Sequence, residues 1–348
     1  MTSLIHSNDS NVYSCIRRGA LTAALASAVL SSAQAMQNEV WLERDDIVAI
    51  ELESADLTGA WTVATDTPGF SGDAFIRWDG PDLFNSPGVQ GIFGFDFEVE
   101  TGGEWLLNLR NRHDHPDATE ENDVWIRMDG GPWIKVFSNM PGSVGAWTFE
   151  TRFDFGIGDQ PDANYMLTPG AHRIEFSGRS NGFKMDRLHL YQAGTPGAFD
   201  PNFPESPRRF GEAYCVATNN STGTFSETSA VGTPLVSANE ITLSTAGLPN
   251  NSLGYYVVST TEAFVPGIGG SDGNLCVGLP IGRFAGNVLN SGTAGQVELQ
   301  IDLTAIPQPN GAVSATAGET WRFQLWHRDT NASGTTSNFS RGLRLTFE

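Results

Sequence analysis

Beyond its first forty residues the chain alternates apolar and polar side chains in short runs: VAIELES, GIFGFDFEVE, EWLLNLRNR, DVWIRMDG, WIKVFS, HRIEFSGRS and DRLHLYQ. A period of two places alternate side chains on opposite faces of a strand. Gly, Pro, Asn and Asp bound each run, and helical periodicity is almost absent. Regularly spaced short strands of this kind predict a β-sandwich or barrel. Asp129-Gly130, between VWIRM and WIKVF, is a hairpin signal. The pattern stops at QAGTPGAFDPNFPESPRR, which carries four Pro and no periodicity, and resumes in EITLSTAGL, LGYYVVST, AGQVELQIDLTAI, ETWRFQLWHRD and RGLRLTFE. The expected organisation is all-β: a sandwich over 46–194, a Pro-rich linker over 195–211 and a second sandwich-like domain over 212–348.

The first 35 residues read differently. Arg17 and Arg18 precede the apolar run GALTAALASAVL, and SSAQA ends in the small-x-small pattern Ala33-Gln34-Ala35. This is the layout of a secretory signal peptide, too short in its apolar part to span a bilayer. It predicts cleavage near Ala35, a mature start at Met36 and a periplasmic or extracellular location, with no membrane span. Removal of the signal takes Cys15 with it and leaves Cys215 and Cys276, an even pair in an oxidising compartment. Neither shows CxxC spacing. If joined, they close a loop for which chain entropy gives roughly 4 kcal/mol.

The formal net charge of −20 argues against nucleic acid and anionic membranes as partners. It is unevenly placed: residues 209–348 hold 10 acidic and 6 basic side chains, net −4, whereas residues 1–208 hold 30 and 14, net −16. Seven of the nine Trp precede residue 200, so an acidic, Trp-rich half precedes a nearly neutral one.

Four features follow one another over residues 46–194. An E-x-E strand supplies Glu51 and Glu53, and the Gly-rich stretch GFSGDAFIRW comes next. The strand pair FDFEVETGGEWLLNLR follows, and the last is PGAHRIEFSGRSNGFKMDRLHL. In this order they resemble the carbohydrate-binding modules of families 6 and 35, which share a galactose-binding-like jelly-roll sandwich. Glu51 and Glu53 are i, i+2 on a strand, so their carboxylates face one way and repel unless a cation or base lies between them. In those modules the matching acids and an acid on the last strand, here Asp186, hold a structural calcium, and oxygen donors suit that ion. The resemblance also implies a glycan or polysaccharide partner held on apical loops, where aromatic faces stack on sugar CH surfaces and amides bond the hydroxyls. Trp147 in GAWTF falls where those modules carry a stacking aromatic, and Trp78 in FIRWDG is a second candidate. Lys184 stands two residues before Asp186, where those modules usually carry Asn, and Asn181 is nearby. A cation there favours a uronate or another acidic sugar, or marks a surface that has stopped binding sugars.

RNRHDHPDATEEND carries a dense set of polar groups, and three readings compete for it. His113 and His115 with Asp114, Asp117, Glu120 and Glu121 offer enough ligands for a metal, but a single H-x-H interrupted by Pro116 is a weak zinc pattern. Arg112, His113 and Asp114 are candidates for ligand contact. Asp and Asn also cap turns with no function at all. No HExxH or P-loop occurs, so the stretch reads as a loop of a binding module.

The second half looks like a β-rich C-terminal module found on varied secreted bacterial proteins, with no assigned role. Trp326-His327-Arg328-Asp329 reads as a strand with one wet face. The expected function is non-catalytic carbohydrate binding by a calcium-stabilised sandwich. Its rivals are a surface or matrix protein making protein contacts, and a polysaccharide hydrolase or lyase using an acidic cleft around His113 and Glu121.

Overall fold

The computed structural model describes residues 39–138, 144–156 and 158–348. The expected signal peptide and its cleavage site lie outside the described residues. The chain is all-β, as the alternation requires: apart from two short 3-10 turns, every described element is a strand. No described helix is long and apolar enough to cross a membrane.

Two sheets enclose the first core. One contains Gly103–Arg112, Lys184–Gln192, Phe75–Trp78 and Trp61–Ala64 in adjacent order, with Asn164–Leu167 at its edge and Ile47–Glu51 against Lys184–Gln192. The facing sheet includes Asp123–Met128, Gly170–Ser177 and Phe93–Val99. Phe93–Val99 (FGFDFEV) buries every second residue, and Phe93, Phe95, Phe97 and Val99 point inward against Trp105, Leu107, Leu109, Ile174 and Phe176. Each such fully buried side chain contributes about 1.5–3 kcal/mol relative to exposure. The Asp129-Gly130 signal does close the hairpin between Asp123–Met128 and Ile134–Phe137, with φ of 50° and 67° at the two residues, the left-handed pair that such a turn needs.

A second core, with Phe210, Leu243, Tyr256, Phe323 and Leu345, lies in the C-terminal half. It is roofed by the sheet Glu212–Tyr214, Gly342–Thr346, Thr320–Asn331, Leu253–Ser259 and Gly282–Arg283. Cys215 and Cys276 form a disulfide.

The segment expected as a linker has two structural tasks. Arg208–Phe210 is a strand that pairs with Val40–Leu42 on one side and with Glu227–Gly232 on the other. It thereby joins strands of both halves into one ten-stranded sheet. Upstream, residues 195–207 strap the outer face of Lys184–Gln192. Arg187 donates to the Pro201 and Phe203 carbonyls, and His189 Nδ1 donates to Ala198 O at 2.9 Å. Ser206 and Ala49 exchange hydrogen bonds at 2.9 Å each. Ile47, Ala49, Tyr191 and Ala198 form a small core beneath the strap. The prolines remove periodicity without making the segment a free tether.

Candidate functional site

Three carboxylates meet where the strand Ile47–Glu51, the short turn Leu52–Ser54 and the strand Lys184–Gln192 come together under the loop 68–73. Ser71 stitches two of them: its Oγ donates to Glu51 Oε2 and lies 3.0 Å from Asp186 Oδ2, and its N–H reaches Asp186 Oδ1 at 3.0 Å. Glu53 Oε1 accepts the N–H groups of Asp73 and Ala74 at 2.9 and 3.2 Å. Two guanidinium groups enter as well, Arg187 beside Glu51 at 3.1 Å and Arg110 against Asp186. Arg110 also donates to Gly69 O at 2.7 Å.

Were all three acids ionised, two arginines would leave the cluster one negative charge in excess, out of water. Burial pushes the Glu51 carboxyl up to about 8; Arg187 opposes the shift, and Glu53 and Asp186 add to it. Burial raises Glu53 and Asp186 too. Among the described residues no group of three or more His, Cys, Asp or Glu stands as a ready ligand set, and the arginines share the acids instead. The donor chemistry nevertheless fits a hard cation. All three acids offer oxygen, and Glu53 Oε2 is buried with no hydrogen-bond partner.

Beside this cluster lies an apical surface built from three segments. The end of Gly103–Arg112 runs on into His113 and Asp114; the turn 144–147 folds over it through Gly145 N–H to His113 O at 2.9 Å; and Lys184 opens the last strand opposite Arg112. Asp114 accepts from Lys184 Nζ at 2.6 Å and from Arg112 Nε at 2.8 Å. Burial opposes its ionisation, but the two cations outweigh that and hold the carboxyl below its ordinary value. The triad carries a net positive charge. Trp147, half-buried, stands over Arg110 at 5.6 Å from guanidinium to ring centre and meets Phe75 edge-on. Its indole N–H is fixed to Pro68 O at 3.1 Å. The structure therefore brings Trp147, Arg112, Asp114 and Lys184 together, next to Glu51, Glu53 and Asp186.

Other candidates are placed elsewhere. Trp78 is fully enclosed, wedged against Gly80, Gly91 and Gly178 with its N–H on Pro81 O. A buried indole offers no face to a sugar, so Trp78 is a core residue. His113 is likewise enclosed, and burial lowers its pKa, which removes it from direct contact with a ligand and from the surface of an acidic cleft. Asn181 is exposed, but its amide is bonded to Gly80 O at 2.7 Å and its N–H to Asp82. The rest of the histidine loop closes on itself: His115 Nδ1 accepts Asp117 N–H, and Asp117 caps Thr119. Sequence reading missed Arg110, Arg187 and Ser71. Arg110 has a signal in hindsight, since it is i−2 to Arg112 and shares its face.

No family model matches this sequence, and no curated protein does. Solved structures do match over parts of their length. A family 35 carbohydrate-binding module from Clostridium thermocellum is 18% identical, with 41% of this chain aligned to 98% of the module at a TM-score of 0.31. A GH26-CBM35 β-(1,4)-mannanase from Podospora anserina is 18% identical over 44% of this chain, TM-score 0.32, and an exo-β-1,3-galactanase from Phanerochaete chrysosporium is 20% identical over 43%, TM-score 0.30. The chain spans only 29% and 30% of those two enzymes. Of the two families that the sequence order resembles, family 35 is represented among these structures, at a level of similarity that assigns no ligand.

Proposed function

We propose that the N-terminal sandwich binds a carbohydrate on its apical surface, in a protein exported from the cytoplasm. The observation that carries this reading is the placement of Trp147. A half-exposed indole, pinned by its own N–H, stands beside three charged side chains that already satisfy one another. A pinned ring stacks on the CH face of a pyranose at little entropic cost, and the surrounding donors recognise its rim. Lys184 is buried and spends its charge on Asp114, so Arg112, which carries the triad's surplus positive charge at the surface, is the group that would favour an acidic sugar over a neutral one. Glu51, Glu53 and Asp186 would hold calcium, which would neutralise the excess negative charge and give Glu53 Oε2 a partner. The cation would stiffen loop 68–73, on which Trp147 rests, and takes no other part. The Cys215–Cys276 disulfide fits an oxidising compartment.

The test is a glycan and polysaccharide array, including uronates, probed with the full chain in calcium-containing buffer. Binding to a definable sugar class, weakened at least tenfold by Trp147→Ala, supports the reading; stacking on a single aromatic is commonly worth that much. A blank array from folded protein overturns it and favours the protein-contact role.

A further inference from the structure

Outside that site, the outer face of the C-terminal sheet carries a set of side chains that the fold leaves uncommitted. Tyr255 and Trp326 are directly opposite on neighbouring strands, with ring centres 5.1 Å apart and planes inclined at 40°. Both are half-buried. Phe339 lies opposite Trp326 on the next strand and is enclosed, so the pair rests on an apolar floor with Val257, Leu275 and Val277. Seven of the nine tryptophans give their indole N–H to a protein acceptor. Trp326 does not, and the Tyr255 hydroxyl makes no hydrogen bond with any described residue either.

The charges around the pair are equally unspent. Arg328 follows Trp326 by two residues, so it projects from the same face. Arg283 is opposite Val257, itself two residues from Tyr255, and Gly282 beside it faces the core side chain of Val258; Arg283 therefore projects outward too. The two arginines flank the aromatic pair diagonally, and both are exposed. Thirteen of the sixteen described arginines make an ion pair, the exceptions being Arg44, Arg283 and Arg328. In a chain with 40 acidic residues and 20 basic ones, carboxylates are plentiful, yet two of the three unpaired arginines stand on this one face. Ser337, opposite Arg328, and Asn290, opposite Leu253, provide a polar rim.

We propose that this face binds an anionic saccharide, whose ring CH surface packs on Trp326 and Tyr255 while Arg283 and Arg328 receive its carboxylate or sulfate groups. A planar guanidinium suits either anion. Nucleic acid fits poorly, because two cations on a protein of net charge −20 release too few counterions. The site is independent of the apical one and does not rest on the reading given for it.

The experiment is calorimetric titration of the full chain, at 0.15 M salt, with oligogalacturonate, with a sulfated galactan oligosaccharide and with a neutral mannan oligosaccharide. Arg283→Ala/Arg328→Ala and Trp326→Ala are compared with wild type, and Trp326→Leu keeps the apolar bulk should the alanine variant fail to fold. Binding of one or both anionic ligands is expected, with each variant weakening it roughly tenfold or more and the arginine variant keeping the wild-type melting temperature. The titrations are repeated in the Trp147→Ala background, which silences the apical site, and the anionic binding that remains there is the binding assigned to this face. The anion bound separates carboxylate from sulfate recognition. Absence of anionic binding in the Trp147→Ala background, binding there unaffected by the paired arginine variant, or loss only in the arginine variant (a bare charge effect) would each overturn the site.

Discussion

Glu51→Gln tests the physics of the acid cluster most directly. In the folded protein the Glu51 carboxyl is pushed up to about 8 by burial, from 4.5 in the unfolded chain. A raised acid contributes stability that is fully present below pH 4.5 and is lost as the pH rises towards 8, because the unfolded chain ionises first. Three and a half pH units at about 1.4 kcal/mol each set a ceiling of about 5 kcal/mol. Relaxation around Arg187 and Asp186 brings the expected difference down to a few kcal/mol. The assay is urea unfolding of wild type and variant from pH 4 to 8.5 in chelator. The two should be about equally stable near pH 4, and the glutamine variant should gain steadily above pH 5. Calcium at about a hundred times its dissociation constant should then raise wild-type stability by about 2.7 kcal/mol and do far less for the variant. Parallel pH curves in chelator would refute the burial argument, and equal calcium responses would remove the cation from this cluster.

His189 titrates the other way: burial lowers its pKa to about 4. Its contribution is present above pH 6.5 and is lost as the pH falls towards 4, so hydrogen exchange at Phe203 and Ser206, whose N–H groups bond Asp200 O and Ala49 O, should quicken in that window, and His189→Gln should flatten the dependence. Trp78→Ala should cost about 3–5 kcal/mol in urea unfolding while leaving any glycan affinity unchanged at residual native concentration. Replacing Cys215 and Cys276 together by Ser should cost roughly 4 kcal/mol in thermal unfolding, the loop-entropy value for a separation of 61 residues.

The strands were legible because one face of each is wet, as in Phe93–Val99, and the Asp129-Gly130 turn because few residue pairs accept its backbone. Glu51, Glu53 and Asp186 were named as a set through the resemblance, but the i, i+2 strand reading of the first two fails: the strand ends at Glu51, and Glu53 lies in the 3-10 turn Leu52–Ser54 that follows. What lay hidden depends on partners distant in sequence. KMDRLHLYQ reads as a strand with an exposed polar face, yet Lys184 through Tyr191 are all buried, because the strap 195–207 covers Arg187 and His189. Trp78 could be named a stacking candidate or a core residue from the sequence, and the structure makes it core: three glycines far apart in the chain vacate the space that it fills. Arg110 and Arg187 neutralise acids brought in by other strands, and no local pattern announces that. The linker was misleading for a related reason: its prolines hid a strand of only three residues, Arg208–Phe210, that pairs on both edges.

That short strand has a consequence for any ligand long enough to touch both proposed surfaces. Tandem modules on a flexible tether search a cloud of separations and accept many polymer geometries. Here hydrogen bonds run unbroken from one half to the other, so the apical surface and the Tyr255–Trp326 face are held at one spacing. With saccharide bound at both surfaces as proposed, such an arrangement would act as a ruler: avidity would rise only for chains whose repeat fits that span, and a mismatched polymer would gain nothing from the second contact.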